Sequence, residues 1–495
     1  MNIKLRDVLE GVDIISPASI KDMEISGIAS HSRQVKNNFL FAAVEGLKFD
    51  GRSFIDEALA RGAKVIVYNP KNLDVQSLKK KEAIFIEVKD MQKSLAKIAD
   101  NFYCHPSSRI KVIGVTGTNG KTTITYLIES IIKNCGFKCG VIGTINYRFG
   151  ERIIPAANTT PGSIQLQELI YEVSSHGLEQ DRILGIDFKT GIFTNITMDH
   201  LDYHKTFESY FNAKARLFEN LSPSSWAVIN MDDAYGKKLL MRTNANTITY
   251  AIDTPADVEA RDISSGISGS RFTIISPHGK IDIKTQLIGK HNIYNILAAV
   301  SFAISEKIDL GLIKKGIEGI ESIPGRLEAI DIEHPFKVFV DYAHTDDALR
   351  NILLSARPLC RGKIILVFGC GGDRCRDKRP LMGKVASELA DYVIVTTDNP
   401  RSEEPESIIK EIEHGFLNNF NKYRVILDRY AAIKEAICLA GEGDIVIIAG
   451  KGHEAYQVFK NTTIPFDDRS VVRQVITKKE LRLNKEESPV LEHSS

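Results

Sequence analysis

The feature that most restricts how this chain can fold is Ile110-Lys-Val-Ile-Gly-Val-Thr-Gly-Thr-Asn-Gly-Lys-Thr-Thr123, an apolar run that passes through glycines into a helical pattern. Ile124, Leu127, Ile128, Ile131 and Ile132 recur at helical spacing, so the segment predicts a buried strand, a glycine loop and a helix over residues 123–132. Gly117 and Gly120 let phosphate oxygens approach the backbone, Lys121 can reach the β and γ phosphates, and the Thr122 hydroxyl can sit on Mg²⁺. The helix N-terminus adds partial positive charge at the same place. A nucleoside triphosphate is the ligand such a segment implies. The spacing is not that of the commonest phosphate loop, because Val115 stands where its first glycine would be and the glycines present are Gly114 and Gly117. That narrows the class of NTPase.

A chain of 495 residues with 43% hydrophobic content is too long for one core and predicts three domains of ordinary size. Lys and Arg number 64 against 63 Asp and Glu, so the net charge of +1 favours neither nucleic acid nor an anionic membrane. Small molecules are the expected partners. Met1-Asn-Ile-Lys-Leu-Arg-Asp-Val lacks an apolar stretch of signal-peptide length, and the longest apolar runs, such as Ile364 to Phe368, are strand-sized. The expected location is the cytosol and the expected state a monomer. Seven cysteines at irregular positions fit reduced thiols better than a disulfide framework.

Residues 1–107 hold strand signals at Phe39-Leu-Phe-Ala-Ala-Val44 and Val65-Ile-Val-Tyr68 and end at the linker His105-Pro-Ser-Ser108. Residues 108–325 alternate strands and helices from the phosphate loop onward, as a doubly wound sheet requires, and close at Ser322-Ile-Pro-Gly-Arg326. Residues 326–482 contain three strand-then-loop units: Ile364 to Asp373, Tyr392 to Arg401 and Asp444 to Glu454. Ligands of open parallel sheets bind beyond the carboxyl ends of strands, so the polar residues ending these units mark a site. The fold class is therefore α/β in three domains, with a central phosphate-loop ATPase-like domain and a Rossmann-like C-terminal domain. Residues 483–495 are charged and polar and are expected to be disordered.

The segments Asn158-Thr-Thr-Pro161, Glu172-Val-Ser-Ser-His-Gly177, Asn195 to His204 and Tyr210-Phe-Asn-Ala-Lys214 follow the phosphate loop in that order, and Gly289-Lys-His-Asn-Ile-Tyr-Asn295 and Asp341-Tyr-Ala-His-Thr345 come later. Together they resemble the Mur ligase family, ATP-dependent enzymes that join amino acids to a UDP-N-acetylmuramoyl carrier in peptidoglycan precursor synthesis. The resemblance implies that ATP phosphorylates a carboxylate to an acyl phosphate, which an amine then attacks. It implies ATP contacts at Gly117, Thr118, Asn119, Gly120, Lys121, Thr122, Thr123, Asn292 and Arg326. It also implies Mg²⁺ ligands at Thr122 and Glu172, and a second Mg²⁺ held by His200 with a carbamate of Lys214. Lys121, His200 and Lys214 are the catalytic residues on this reading. Taken alone, Lys214 would be an ordinary solvated lysine. His200 and His204, four apart, lack the intervening glutamate and the nearby cysteine that would suggest zinc.

Ser30-His-Ser-Arg33 and Val44-Glu-Gly-Leu-Lys-Phe-Asp-Gly51 are similar to the uridine-binding segments of the family members that add the third stem-peptide residue. The resemblance places Ser30, Ser32, Leu47, Lys48 and Phe49 on the UDP group and Asn158, Thr159, Thr160, Ser174, Gln180 and Arg182 on the muramoyl dipeptide. Asp398-Asn-Pro-Arg401 looks like the motif of ligases that add meso-diaminopimelate, whose second carboxylate calls for an arginine. Arg374, Asp398, Asn399, Pro400, Arg401, Gly450 and Glu454 are the implied amino-acid contacts, with Glu454 accepting from the ammonium group.

The chain departs from the family pattern in three places. His31 stands where an aspartate is usual, and Cys375 replaces a carboxylate that could have fixed Arg374. Only eleven residues, Pro161 to Tyr171, separate Thr160 from Glu172. They cannot form both a long helix and a full strand, so either the helix shrinks or the strand before Glu172 is cut short. Lysine addition, glutamate addition as in folylpolyglutamate synthases, and a degenerate nucleotide-binding homologue remain as alternatives. A dehydrogenase, suggested by Gly369-Cys-Gly-Gly372, misses the dinucleotide fingerprint spacing.

Overall fold

The computed structural model describes residues 2–15, 23–46, 50–71, 82–156, 158–172, 186–197 and 206–486, with the side chains of residues 172 and 478–486 left aside. Three α/β domains follow one another. In the first, strands Gly27–Ala29, Phe39–Ala43, Ala63–Tyr68 and Ile84–Glu87 form a parallel sheet in that order. Alternation along these strands sends Leu40, Ala42, Val65 and Val67 to the face covered by helix Met91–Phe102, while Phe41, Ala43, Ile66 and Tyr68 pack with Ile55 and Ala58 on the other.

The middle domain is a seven-stranded sheet. Strands Val112–Thr116, Phe188–Phe193, Trp226–Asn230, Asn246–Ala251 and Val258–Gly266 run parallel in that order, and Gly269–Ser276 and Gly279–Thr285 extend them as an antiparallel meander. Helices Lys121–Asn134, Lys290–Ser305 and Leu310–Glu318 bury Ile124, Leu127, Ile131, Ile296 and Ile313 against one face. Helices Phe207–Glu219 and Ala234–Leu240 place Phe211, Leu217 and Leu239 on the opposite face. A sheet covered on both faces reads as the near-continuous apolar runs seen in these strands.

The shortened interval before Glu172 is settled in favour of the helix. Ser163–Glu172 is helical throughout, with Leu166, Leu169 and Ile170 packed on Ile142 and Tyr147, and among the described residues no strand lies between Pro155 and Phe188. Glu172 therefore lies in a helix and does not end a strand. Among the described residues Val112–Thr116 is correspondingly the edge of its sheet.

The C-terminal sheet has the order Glu328–Ile330, Lys337–Asp341, Ile445–Ala449, Ile364–Phe368, Tyr392–Val395, Tyr423–Val425. All but the first pair are parallel. Insertion of Ile445–Ala449 between Lys337–Asp341 and Ile364–Phe368 makes a switch point, where loops leave neighbouring strands in opposite directions and open a crevice. The last helix, Asp468–Glu486, runs past the boundary drawn at Arg482, where a disordered tail was expected. Val471, Val472, Val475 and Ile476 anchor it in the core, and the Lys, Glu, Arg and Leu residues that follow are good helix formers. No helix among the described residues is long and apolar enough to cross a membrane.

Candidate active site

The phosphate-loop strand ends at Thr116, and Gly117 (φ +143°) and Gly120 (φ +89°) carry the chain into helix Lys121–Asn134. A Cβ at Gly117 would overlap Thr194 Oγ1, and one at Gly120 would overlap Asn295 Oδ1. Only glycine fits either position. The loop is fixed from its neighbouring strand end: Thr118 N donates to Asn195 O at 2.9 Å, Asn119 N to Asn195 Oδ1 at 2.9 Å, and Thr194 Oγ1 to Asn119 O at 2.7 Å. Lys121 Nζ folds back onto the Gly117 and Thr118 carbonyls at 2.7 and 2.8 Å. The Thr122 hydroxyl accepts from Arg326 Nη2 at 3.1 Å, so the guanidinium of the inter-domain link sits on the loop.

This loop lines a cleft of about 650 Å³ together with other residues of the middle domain and the strand ends of the C-terminal domain. Asn158, Thr159, Asn292, Arg326, Arg374, Asp398, Asn399, Arg401, Gly450 and Glu454 all line it with the phosphate loop. Asn292 is buried, its Nδ2 donating to Ile288 O at 2.8 Å and its Oδ1 accepting from Asn295. Burial pushes the neighbouring His291 down to about 4, so its ring is neutral.

At the far end, Arg401 (φ +53°) donates from Nη1 to Gly372 O at 2.7 Å, and burial followed by the charge of Arg374 lowers its pKa. Arg374 is exposed and its Nη1 bonds its neighbour's carbonyl, Asp373 O, at 3.1 Å. Asp398 is buried and accepts from Asn399 N at 2.6 Å. A Cβ at Gly450 (φ +113°) would meet Asp398 Oδ2 at 2.5 Å. Asn399 Nδ2 donates to Glu454 Oε2 at 2.8 Å. Pro400 presses its carbonyl against Gly372, whose Cβ would overlap it. Two guanidiniums, Arg374 and Arg401, and two carboxylates, Asp398 and Glu454, thus converge where three strand-end loops meet.

Other residues singled out from the sequence fall elsewhere. Lys214 is buried, not solvated, with Nζ 4.2 Å from the centre of the Tyr210 ring, and the Tyr210 hydroxyl is 3.4 Å from Thr118 Oγ1. It therefore sits one side chain behind the phosphate loop. Thr123 is buried in the first turn of the helix, and Thr160 stands two residues after Asn158, whose carbonyl accepts from Tyr147 Oη at 2.6 Å. Thr159 Oγ1 lies 3.2 Å from Thr144 Oγ1. In the first domain Ser30 is exposed, whereas Ser32 is buried with its hydroxyl on Glu57 at 2.8 Å. His31 caps the turn Ser32–Gln34, its Nδ1 accepting from Arg33 N at 3.3 Å, which is the task an aspartate would perform there. Leu47, Lys48, Phe49, Ser174, Gln180, Arg182 and His200 lie outside the described residues, as does the side chain of Glu172. Among the described residues no His, Cys, Asp and Glu cluster that could hold a metal is present.

Sequence reading missed several groups that shape the cleft. Asp347 accepts from Asn119 Nδ2 at 2.8 Å and ties the phosphate loop to the C-terminal domain. Asp341, pushed up to about 6 by burial against the opposing pull of Arg326, receives the Leu327 and Ala343 amides. Arg379, fully buried, holds Gly371 O and two carboxylates. Only for Asp341 and Asp347 was there a signal, at or just past the quoted Asp341 to Thr345 segment; nothing local marks Arg379.

Comparison with known proteins gives three family matches along the chain: the Mur ligase family catalytic domain over residues 24–103, the Mur ligase middle domain over 115–303, and the Mur ligase glutamate ligase domain over 325–452. A UDP-N-acetylmuramoyl-L-alanyl-D-glutamate--2,6-diaminopimelate ligase of Clostridium tetani is 42% identical over 488 residues, spanning 96% of this chain and 99% of that one. A solved structure of a ligase of that description is 31% identical and superposes with a TM-score of 0.65 over 97% of this chain and 100% of the other. A MurF ligase of Thermotoga maritima, solved in complex with ADP, shares the fold with a TM-score of 0.62 at 18% identity, over 93% of this chain and 98% of that one.

Proposed function

Given that the chain belongs to the Mur ligase family, we propose that it is an ATP-dependent ligase that joins meso-diaminopimelate to UDP-N-acetylmuramoyl-L-alanyl-D-glutamate in the cytoplasm. The observation that carries the substrate is the presence of Arg374, Arg401 and Glu454 together in the same cleft as the phosphate loop. Lysine offers one carboxylate and a bare ammonium at its far end, whereas diaminopimelate offers a second complete amino-acid head group. A guanidinium complements its carboxylate and the Glu454 carboxylate complements its ammonium.

ATP fits the loop residues: two obligatory glycines, a helix N-terminus and a lysine whose ammonium now rests on loop carbonyls that phosphate oxygens would replace. The Thr122 hydroxyl, which now accepts from Arg326, would hold Mg²⁺, which would supply neutralising charge on the phosphates. Lys121 stabilises the charge that develops as the glutamyl carboxylate oxygen bonds the γ phosphorus and ADP departs. The diaminopimelate amine then bonds the acyl carbon, loses a proton, and phosphate leaves. Asn158 and Thr159 line the cleft together with Arg326 and orient the dipeptide. Lys214, buried behind Tyr210, is proposed to serve as a carbamate.

Phosphate release by the purified protein with Mg²⁺-ATP and the UDP-linked dipeptide tests the reading. Meso-diaminopimelate is expected to stimulate release and yield the tripeptide by mass, L-lysine is not, and Lys121→Ala should abolish release. Stimulation by lysine to the same extent would remove the substrate assignment.

A further inference from the structure

The amino-acid end of the cleft contains a cation without a task in the reaction above. Lys451 has no solvent exposure. Its Nζ donates to Asn399 Oδ1 at 3.1 Å and to Glu454 Oε2 at 3.2 Å. Asn399 Oδ1 also accepts from Val458 N at 2.9 Å, so both donors fix the amide and turn its Nδ2 to Glu454 Oε2. That oxygen is committed from behind by two donors, while Glu454 Oε1 has no hydrogen-bond partner among the described residues. Arg401 is held apart by different means, its Nη1 on Gly372 O and its backbone N on Val458 O at 3.1 Å. Among the described residues no ion pair joins Glu454 to Arg401, or Arg374 to any carboxylate.

A receptor for a zwitterion must hold both signs of charge close together, and side chains left loose in a half-buried cleft would neutralise each other. We propose that Lys451 is a positioning residue that draws Glu454 and Asn399 away from Arg401, so that the empty cleft presents an open carboxylate oxygen and an open guanidinium to an amino-acid head group. The inference rests on the diaminopimelate reading and adds a fourth residue to it. Lys451 acts through Glu454, whose Oε1 meets the substrate ammonium. Without Lys451, the Glu454 carboxylate swings onto Arg401 and the substrate must break that pair to bind.

Steady-state kinetics of the full chain with Lys451→Met, Glu454→Gln and the double variant provide the test. Lys451→Met is expected to raise the diaminopimelate KM by about tenfold or more, leaving the KM values for ATP and the UDP-linked dipeptide within about twofold. The double variant should be no worse than Glu454→Gln alone, because one residue works through the other. An unchanged diaminopimelate KM, a parallel rise in all three KM values, or additive losses in the double variant would overturn the proposal. If Lys451→Met does not fold, the double variant, which buries neither charge, decides by the same comparison with Glu454→Gln. A wild-type chain that makes no product with diaminopimelate would remove the substrate reading and this inference with it, whereas an active wild type with an unaffected Lys451→Met removes Lys451 alone.

Discussion

Single side chains set the geometry of the cleft mainly from behind it. Arg379 does not itself line the cleft, yet its guanidinium bonds Glu403 Oε1 and Oε2 and Glu411 Oε2, each at 2.8 Å, and the carbonyl of the cleft-lining Gly371 at 3.2 Å. Glu403 Oε1 in turn accepts from Asp373 N at 2.6 Å, so one buried cation binds the glycine loop to the turn that carries Arg401. Arg379 is also the first cause that holds the Glu403 carboxyl down at about 2. Arg379→Met removes the cation and leaves two partly buried carboxylates facing each other. The expected cost is on the order of 3 kcal/mol in urea unfolding, together with a diaminopimelate KM that rises while the ATP KM holds. A variant that loses stability but keeps its diaminopimelate KM would show that the two loops find their places without Arg379.

At the scale of elements, the sequence was most legible where period and burial agree. Ile364–Phe368 and Ile445–Ala449 are unbroken apolar runs and prove to be central strands buried on both faces, and the phosphate-loop helix spans Lys121–Asn134 around the residues that announced it. The segment from Pro161 to Glu172 was not legible in this way. Its apolar residues suit either element, and the outcome was decided by distant partners: Leu166, Leu169 and Ile170 find Ile142 and Tyr147, and Ile164 reaches the core of the first domain. The cleft was legible as strand-end loops, but the role of Arg379 was not, nor the bond of Lys451 to Asn399, since those partners come from other loops. Helix packing behind the phosphate loop was equally hidden. Gly316 on helix Leu310–Glu318 lies against helix Lys121–Asn134 so closely that a Cβ would meet Ile131 Cα at 2.6 Å, and Ser130 Oγ donates to Gly316 O at 2.6 Å. Gly316→Ala must push the two helices apart. Overpacking of this kind costs about 1–3 kcal/mol, and because the displaced helix carries Lys121 and Thr122, ATP affinity measured by titration should fall with stability. A destabilised variant with unaltered ATP affinity would mean that the loop, held by Asn195, is independent of the helix behind it.

For the whole molecule, the cleft exists because domains meet, and the meeting is made of polar contacts that respond to pH. Asn119 bonds Asp347 and Arg326 bonds Thr122, and His453 and Thr144 line the same cleft. Burial pushes His453 down to about 3 and His291 down to about 4, from an ordinary 6.5, whereas burial raises Asp341 from 3.8 to about 6. Each histidine is neutral in the folded chain and takes up a proton on unfolding once the pH is below 6.5, so acidification favours the unfolded state. Asp341 has the opposite sign: below 6 it holds a proton in the folded chain that the unfolded chain releases, which favours folding as the pH falls toward 3.8. From 6.5 down to about 4 two proton uptakes thus oppose one proton release, and the histidines prevail. The urea midpoint of the wild type should fall as the pH drops from 7 to 4.5. In a His291→Asn, His453→Asn double variant only Asp341 remains of the three, so that fall should flatten or reverse over the same range. An identical pH slope in both proteins would place the two imidazoles in water, and the account of both as buried, neutral groups of the folded chain would fall with it.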